Sequence, residues 1–390
     1  VTTLFWIAAV IFWVSVGVFF YTYVGFPVLV YLLGRIRPRI TKKNEFEPFV
    51  SVIITAYNEE KDISAKLENT LLVDYPKEKI EIIVASDCSS DRTDEIAASF
   101  ADRGIRLYRQ EGRFGKTMAQ NSAVELAKGE VILFSDATTM YEPGVLKAML
   151  PNFADASVGC VAGKLIYVDP AQTGVGAGAQ SYWSYETFLK ESESRACSLI
   201  GASGCLYAVR KSAYVPMYPE ACSDFLIATK IYEQGLRTVY EPGAVCFEET
   251  NRQTGKELKM RVRVIGQTFT DLWRNRHAMN PFRFGFYAVQ LFSHKVLRYS
   301  MPLWLILLFA AAGVLSAQSL FFALTFAAQV IFYGIAALSG LSGSSGKSKS
   351  LLAIPHYFVL ANVASLIAFW RFLQGENYAV WEPIRDTAKQ

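Results

Sequence analysis

An α/β fold, built on a mostly parallel sheet covered by helices and set between apolar termini, is predicted by three observations. Between Phe49 and Lys128 the chain passes three times through an apolar strand, a polar loop and a helix before a fourth strand opens at Val131. The second and fourth strands end in a switch from apolar residues to a carboxylate, as in Ile132–Leu133–Phe134–Ser135–Asp136. Apolar residues make up 52% of the 390 residues and crowd into 1–33 and 301–373, which leaves 41–280 with the mixed character of a water-soluble domain.

Segment 3–33 carries no Asp, Glu, Lys or Arg and is long enough to span a bilayer, so 1–33 is expected to be an N-terminal transmembrane helix. It has neither a basic start nor a small-residue cleavage pattern, which favours an anchor over a removable signal peptide. Arg35, Arg37, Arg39, Lys42 and Lys43 follow, and by the positive-inside rule they hold the next domain in the cytoplasm with the N-terminus outside.

Phe49–Ala56 reads as the first strand, and Tyr57–Asn58–Glu59–Glu60 as the opening of a helix with Asn58 as its cap. Ile63, Leu67 and Leu71 recur at helical spacing until Tyr75–Pro76. Lys79–Ala85 is a second strand that ends in Ser86–Asp87, with Ser90 or Asp91 capping the helix that carries Ile96, Ala97 and Phe100. Ile105–Tyr108 is a short third strand, followed by a loop from Arg109 to Gly115 and the helix Lys116–Lys128. The apolar run 131–134 is a buried strand, and it places Asp136 at its carboxyl end, where open α/β sheets take their ligands.

Further on, a helix from Pro143 to Phe153 precedes a strand at 158–163 and a polar-aromatic helix, Tyr182–Ser194, expected to line a cleft. Gly201–Ala202–Ser203–Gly204 is a glycine turn into a strand with Arg210 near its end; Asp224 precedes a helix over 225–233, and strands follow at 237–240 and 242–247. The cytoplasmic domain is thus bounded at 45–275. Aromatic and basic residues mingle in 276–300, which suits amphipathic interfacial helices. The stretches 301–318, 319–340 and 351–373 form a C-terminal transmembrane region, with a flexible loop at Ser342–Ser350 and a tail at 374–390.

The formal charge of +4 is modest and partly explained by the membrane flanks, and no motif supports nucleic-acid binding. Six scattered cysteines without a Cys-x-x-Cys pair argue against disulfides, and three histidines against a histidine-rich metal site. No G-x-G-x-x-G follows the first strand, and Gly112–Thr117 lacks the leading glycine of a Walker loop.

A cleft at the carboxyl edge of such a sheet gathers Asp87, Lys116 and Asp136, with Asp224 arriving from the second half. Carboxylates there suit a hard divalent cation, Mg²⁺ or Mn²⁺, and lysine and arginine suit a phosphate-bearing ligand. A separate carboxylate suits a general base on an incoming hydroxyl. These residue types together point to nucleotide-diphosphate chemistry at a membrane.

The order of the motifs resembles a membrane-integrated family 2 glycosyltransferase of the GT-A fold, in the branch that includes cellulose, chitin and hyaluronan synthases. Val52–Glu60 is similar to the family's opening strand and loop, which implies that Ala56, Tyr57 and Glu59 border the nucleotide. Asp87 matches the carboxylate that contacts a uracil-type base, and Gly115–Lys116 the segment whose lysine approaches the nucleotide or diphosphate. Phe134–Ser135–Asp136–Ala137–Thr138 falls on the Asp-x-Asp metal motif, with Ser135 beside the donor, Asp136 in the metal position and Thr138 in place of the second Asp. Asp224 matches the catalytic base. In the Gln-x-x-Arg-Trp segment only Arg263 is kept, a clamp for the leaving diphosphate, while Met260 and Val264 replace the glutamine and the tryptophan. Arg210 and the aromatics Tyr182, Trp183 and Tyr185 fall on the acceptor side, and Trp381–Arg385 resembles a C-terminal gating segment.

The resemblance implies an inverting transferase that uses a nucleotide-diphosphate sugar, a UDP-sugar by the family pattern, to extend a polysaccharide. It implies a multi-pass protein of the plasma (inner) membrane with a cytoplasmic catalytic domain. The partners implied are a nucleotide-sugar donor, a glycan or lipid-linked acceptor, the lipid bilayer, and polysaccharide-export proteins or further copies of the chain. The alternative is a single-addition transferase acting on a lipid-linked glycan or polyprenyl acceptor, and a catalytically inactive scaffold is a third class. One N-terminal and three C-terminal spans put the tail outside, where Trp381 and Arg385 could not gate. Either one C-terminal segment is re-entrant or interfacial, which is preferred, or the tail has no gating role.

Overall fold

Every residue of strand β1 (Val50–Ala56) is buried, because apolar side chains leave it on both faces and each face is covered. Val52 and Ile54 enter one layer with Ile63, Leu67 and Ala97; Ile53 enters the other with Ala119, Ala123 and Phe134. The computed structural model describes residues 3–169, 174–250, 253–341 and 350–380.

The other strands are β2 (Ile80–Ser86), β3 (Ile105–Arg109), β4 (Val131–Asp136), β5 (Met140–Tyr141), β6 (Val158–Val168), β7 (Tyr207–Arg210) and β8 (Arg237–Glu249). They form one sheet in the order β3-β2-β1-β4-β7-β6-β8-β5. Strands β3, β2, β1 and β4 are parallel. Strand β7 runs antiparallel between β4 and β6, β8 is parallel to β6, and β5 closes the edge antiparallel to β8. The sheet is therefore mixed, a parallel half carrying the predicted repeats and a second half of both directions.

Helix α1 (Thr3–Ile36) passes through a π turn at Tyr21–Gly25. On and around the sheet lie α2 (Ile63–Leu71), α3 (Thr93–Ala98), α4 (Lys116–Leu126), α5 (Val145–Met149), α6 (Gly174–Ala196) and α7 (Ser223–Glu233). Amphipathic α8 (Thr254–Arg274) leads, through a turn of helix at Pro281–Phe284, to α9 (Phe286–Leu315), then α10 (Leu320–Leu341) and α11 (Ser350–Leu373). Position 300 lies inside α9, so the basic and aromatic residues of 286–300 continue into the apolar stretch as one helix. The described residues include four helices long and apolar enough to cross a membrane: Thr3–Ile36, Phe286–Leu315, Leu320–Gly340 and Ile354–Leu373.

Asn58 is not a helix cap: α2 begins only at Ile63, and Asn58 takes a left-handed conformation (φ 53°) in which its Oδ1 accepts from the Ser90 backbone at 2.8 Å. The loops after β1 and β2 are thereby tied together over the sheet's carboxyl edge. Neither Ser90 nor Asp91 is the cap of α3; Arg92 takes that position, and Asp91, one residue before it, accepts from the Thr93 amide at 3.0 Å in a local turn. Most of the Ser342–Ser350 loop and all of the Trp381–Arg385 segment lie outside the described residues.

Candidate active site

A cavity of about 1010 Å³ opens along the carboxyl ends of β1 and β4 and extends to helices α8, α9 and α11. Ala56, Tyr57, Glu59, Asp87, Lys116, Asp136, Asp224 and Arg263 all line it. Ser135 does not. Side chains alternate along a strand, so Ser135 turns away from the face that carries Asp136, is fully buried, and donates to the Cys205 carbonyl at 3.2 Å.

Asp87 is built into the parallel half by the backbone. Its Oδ1 accepts from the amides of Phe114 (2.8 Å) and Gly115 (2.9 Å) and from Gln110 Nε2 (2.6 Å). Burial raises the Asp87 carboxyl above its ordinary value, against the opposing pull of those two amides. The Arg113 guanidinium lies 3.9 Å from the centre of the Tyr57 ring, so a flat cationic surface forms beside the Asp87 loop.

Lys116 opens α4 and forms an ion pair with Asp136, whose carboxylate Thr55 Oγ1 also approaches at 3.4 Å. Burial works against the Lys116 charge, but Asp136 and Asp224 outweigh it and raise the ammonium pKa. Asp224 sits in the first turn of α7, where the helix N-terminus favours a carboxylate, and accepts from the Cys222 thiol at 3.2 Å. A β-carbon on Gly204 would lie 3.3 Å from both Asp224 Oδ2 and Lys116 Nζ. The two halves of the sheet therefore meet over a residue without a side chain. Burial lowers the Arg263 pKa to about 10, with Cys222, Asp136 and Asp224 opposing the shift, and the guanidinium stays charged at neutral pH.

The predicted acceptor-side residues separate. Tyr182 and Trp183 line the cavity, whereas the Tyr185 hydroxyl donates to the Tyr23 carbonyl of α1 at 3.3 Å. Arg210 is a correction: because β7 is antiparallel to β4, its last residue pairs with Val131 at the far end of the sheet, and Arg210 donates to the Phe153 carbonyl at 2.7 Å.

Sequence reasoning passed over several lining groups. Glu248, at the end of β8, accepts from Thr138 Oγ1 at 3.4 Å, and burial, helped by Asp136, raises its carboxyl to about 7. It carries the same strand-to-carboxylate signal that marked Asp136. Lys190 donates to Ser203 Oγ at 2.6 Å beneath the glycine turn. Toward the membrane helices, Arg261 bonds Glu257 Oε1 at 2.8 Å and the Tyr357 hydroxyl, and its guanidinium lies 4.6 Å from the Tyr182 ring centre. Glu186 is held by Arg298 and by His294 Nε2 at 3.3 Å. From the other end of the chain, the Tyr378 carbonyl accepts from Gln267 Nε2 at 3.2 Å, and Ala379 lines the cavity against Gly115.

Among the described residues no three His, Cys, Asp or Glu side chains form a metal-holding group. The oxygens of Asp136, Glu248 and Thr138 are hard donors, suited to a cation that shares its coordination with phosphate oxygens.

A GT-A-type sheet with acidic and basic groups meeting at its carboxyl edge defines a transferase class, and the chain's relatives agree. Residues 51–215 match the family described as Glycosyl transferase family 2, and the chain carries a domain of that family. It is 28% identical over 265 residues to poly-beta-1,6-N-acetyl-D-glucosamine synthase of Staphylococcus aureus, a match that covers 65% of this chain and 61% of the synthase's length. It is 36% identical over 133 residues to the probable glycosyltransferase YdaM of Bacillus subtilis, covering 32% of this chain and 31% of that one. In fold it is similar to the mannosyltransferase PcManGT from Pyrobaculum calidifontis, solved in complex with GDP-Man and Mn²⁺, with a TM-score of 0.69 and 22% identity over 91% of this chain and 99% of that chain.

Proposed function

We propose that the protein is an inverting glycosyltransferase that takes a sugar from a nucleotide-diphosphate donor, a UDP-sugar, and extends a polysaccharide at the cytoplasmic face of the plasma (inner) membrane. The observation that carries the reading is the meeting of Lys116, Asp136 and Asp224 around Gly204, inside a cavity that reaches from the sheet edge to the membrane helices. The similarity to the polysaccharide synthase supports the product class.

Asp224 removes the proton from an acceptor hydroxyl. The hydroxyl oxygen forms its bond to the anomeric carbon from the face opposite the donor phosphate, the bond from that carbon to the phosphate oxygen breaks, and the diphosphate leaves with the electron pair. Lys116 and Arg263 meet the growing negative charge with positive charge already in place. Asp87 and its loop hold the base. A divalent cation, Mg²⁺ or Mn²⁺, held by Asp136, would supply further neutralising charge to the diphosphate. Tyr182 and Trp183 offer flat apolar faces on the acceptor side.

A second reading, one addition to a lipid-linked glycan or polyprenyl acceptor, is favoured by Lys295, Tyr299 and Tyr357, which bring the membrane-candidate helices α9 and α11 into the cavity wall. Incubating the nanodisc-held chain with a panel of UDP-sugars and Mn²⁺ or Mg²⁺, with products resolved by mass, separates the two. A ladder rising by one sugar is the expected result. A single sugar on a co-purified lipid selects the second reading, and no turnover with any donor overturns both.

A further inference from the structure

The metal motif lacks its second carboxylate, and the sheet edge supplies one from elsewhere in the chain. Strand β5 pairs Met140 with Phe247 and Tyr141 with Cys246, so the loop leaving β4 at Asp136 is laid directly onto β8. One residue beyond that ladder stands Glu248, on which Thr138 Oγ1 donates to Oε1 at 3.4 Å. Thr138 occupies the position where the second Asp of an Asp-x-Asp pair would stand.

The arrangement is held from beneath. Lys66 is wholly buried, donates to the Thr139 carbonyl, and places its ammonium 3.3 Å from the centre of the Tyr141 ring. Lys66 thus fixes both ends of the turn between the motif and β5. Asp136 and Glu248 line the same cavity. The Thr138 hydroxyl engages only one oxygen of Glu248, so Oε2 makes no hydrogen bond among the described residues.

We propose that Glu248 is the second acidic ligand of the donor-bound divalent cation, taking the part of the missing aspartate, with Thr138 orienting it. This rests on the nucleotide-sugar reading of the cavity. Two carboxylates, Asp136 at the end of β4 and Glu248 on β8, which β5 brings beside the loop after β4, give the cation two hard oxygens from the protein, and the donor diphosphate and water complete its shell. Lys66 and Thr138 are positioning residues for that pair.

The test measures Mn²⁺ affinity by the spin-resonance signal of free Mn²⁺, on the full chain in nanodiscs with saturating UDP. Glu248→Gln is expected to weaken Mn²⁺ at least about tenfold while UDP affinity without metal stays unchanged. Thr138→Asp placed in the Glu248→Gln background is expected to recover most of the lost affinity, because it returns a carboxylate to the motif. Glu248→Asp, which keeps the charge, should stay within a few-fold of the unaltered chain and guards against a folding defect in the glutamine variant. Unchanged Mn²⁺ affinity in Glu248→Gln, or no recovery in the double variant, overturns the inference. An unaltered chain that binds UDP but takes up no Mn²⁺ overturns it and leaves the nucleotide reading standing; one that binds no nucleotide at all overturns both.

Discussion

The two halves of the sheet hold their functional groups in different ways. In the parallel half, Asp87 is fixed by peptide N–H groups and Asp136 by its place at the end of a fully buried strand run. In the mixed half, Asp224 is held by the neighbouring Cys222 thiol, while Glu248 and the charged groups facing the membrane helices are placed by side-chain partners drawn from distant parts of the chain: Thr138, Arg298 and Tyr357. Backbone cradles tolerate changes in neighbouring side chains. Side-chain networks do not, so the second half is where substitutions should have mixed effects on chemistry and stability.

The largest test of that contrast sets one carboxylate against the other. Asp224→Asn is expected to lower kcat by about 10²- to 10⁴-fold with donor affinity nearly unchanged, as removal of a general base requires. Asp87→Asn should do the reverse, since with its oxygen in the place of Oδ1 its NH₂ replaces Oδ2, which accepts from the Gly115 amide at 3.0 Å. An unmade buried hydrogen bond of about 1–3 kcal/mol corresponds to roughly 5- to 150-fold in donor affinity. Steady-state kinetics together with UDP titration reads both, and a substantial residual rate in Asp224→Asn would remove that residue from the base role.

Next in size is Glu186→Gln. It leaves Arg298 without its buried counter-charge, and the melting transition in detergent should report a loss of about 3–5 kcal/mol. Donor affinity should not move, because Glu186 is paired with Arg298 and His294 of α9 and, among the described residues, makes no contact with the Asp87 loop or Lys116.

Smallest per step measured, though spread over several pH units, is the effect on pH dependence. Asp271, in α8, accepts from the Cys222 amide at 3.0 Å and from the Tyr218 hydroxyl, and burial raises its carboxyl to about 8. In the unfolded chain this group releases its proton near its ordinary value, about 4. The folded state therefore binds more protons between those values, and stability falls as pH rises from about 4 to about 8, at most by about 1.4 kcal/mol per pH unit, then levels off. Asp271→Asn should flatten that slope when melting is followed across the range.

The same contrast explains what could be read from the amino-acid order. The strand-to-carboxylate switches at Asp87 and Asp136 are local, and both residues lie in the cavity. The strand alternation that removes Ser135 from it was present in the sequence as well. Strand direction was not: an apolar run such as Tyr207–Arg210 looks alike in a parallel or antiparallel setting, and the antiparallel course of β7 carries Arg210 to the wrong end. Glu248 shows the same switch as Asp136, yet its meaning depends on β5 laying the metal motif beside β8, a pairing of residues more than a hundred positions apart. The Arg261, Glu257 and Tyr357 cluster joins α8 to α11, and helix periodicity cannot name a helix's partner.

Gly115 belongs to both worlds. Its N–H is given to Asp87 at 2.9 Å, its φ of +93° suits only glycine, and a β-carbon there would overlap the Ala379 carbonyl. One peptide unit thus touches the Asp87 carboxylate on one side and the Ala379 carbonyl on the other. Free energies of binding are reciprocal, so if donor occupancy shifts this peptide and changes how firmly the segment carrying Ala379 is held, that segment changes donor affinity by the same factor. On the proposed function, Gly115 then couples filling of the pocket to release of what remains in it.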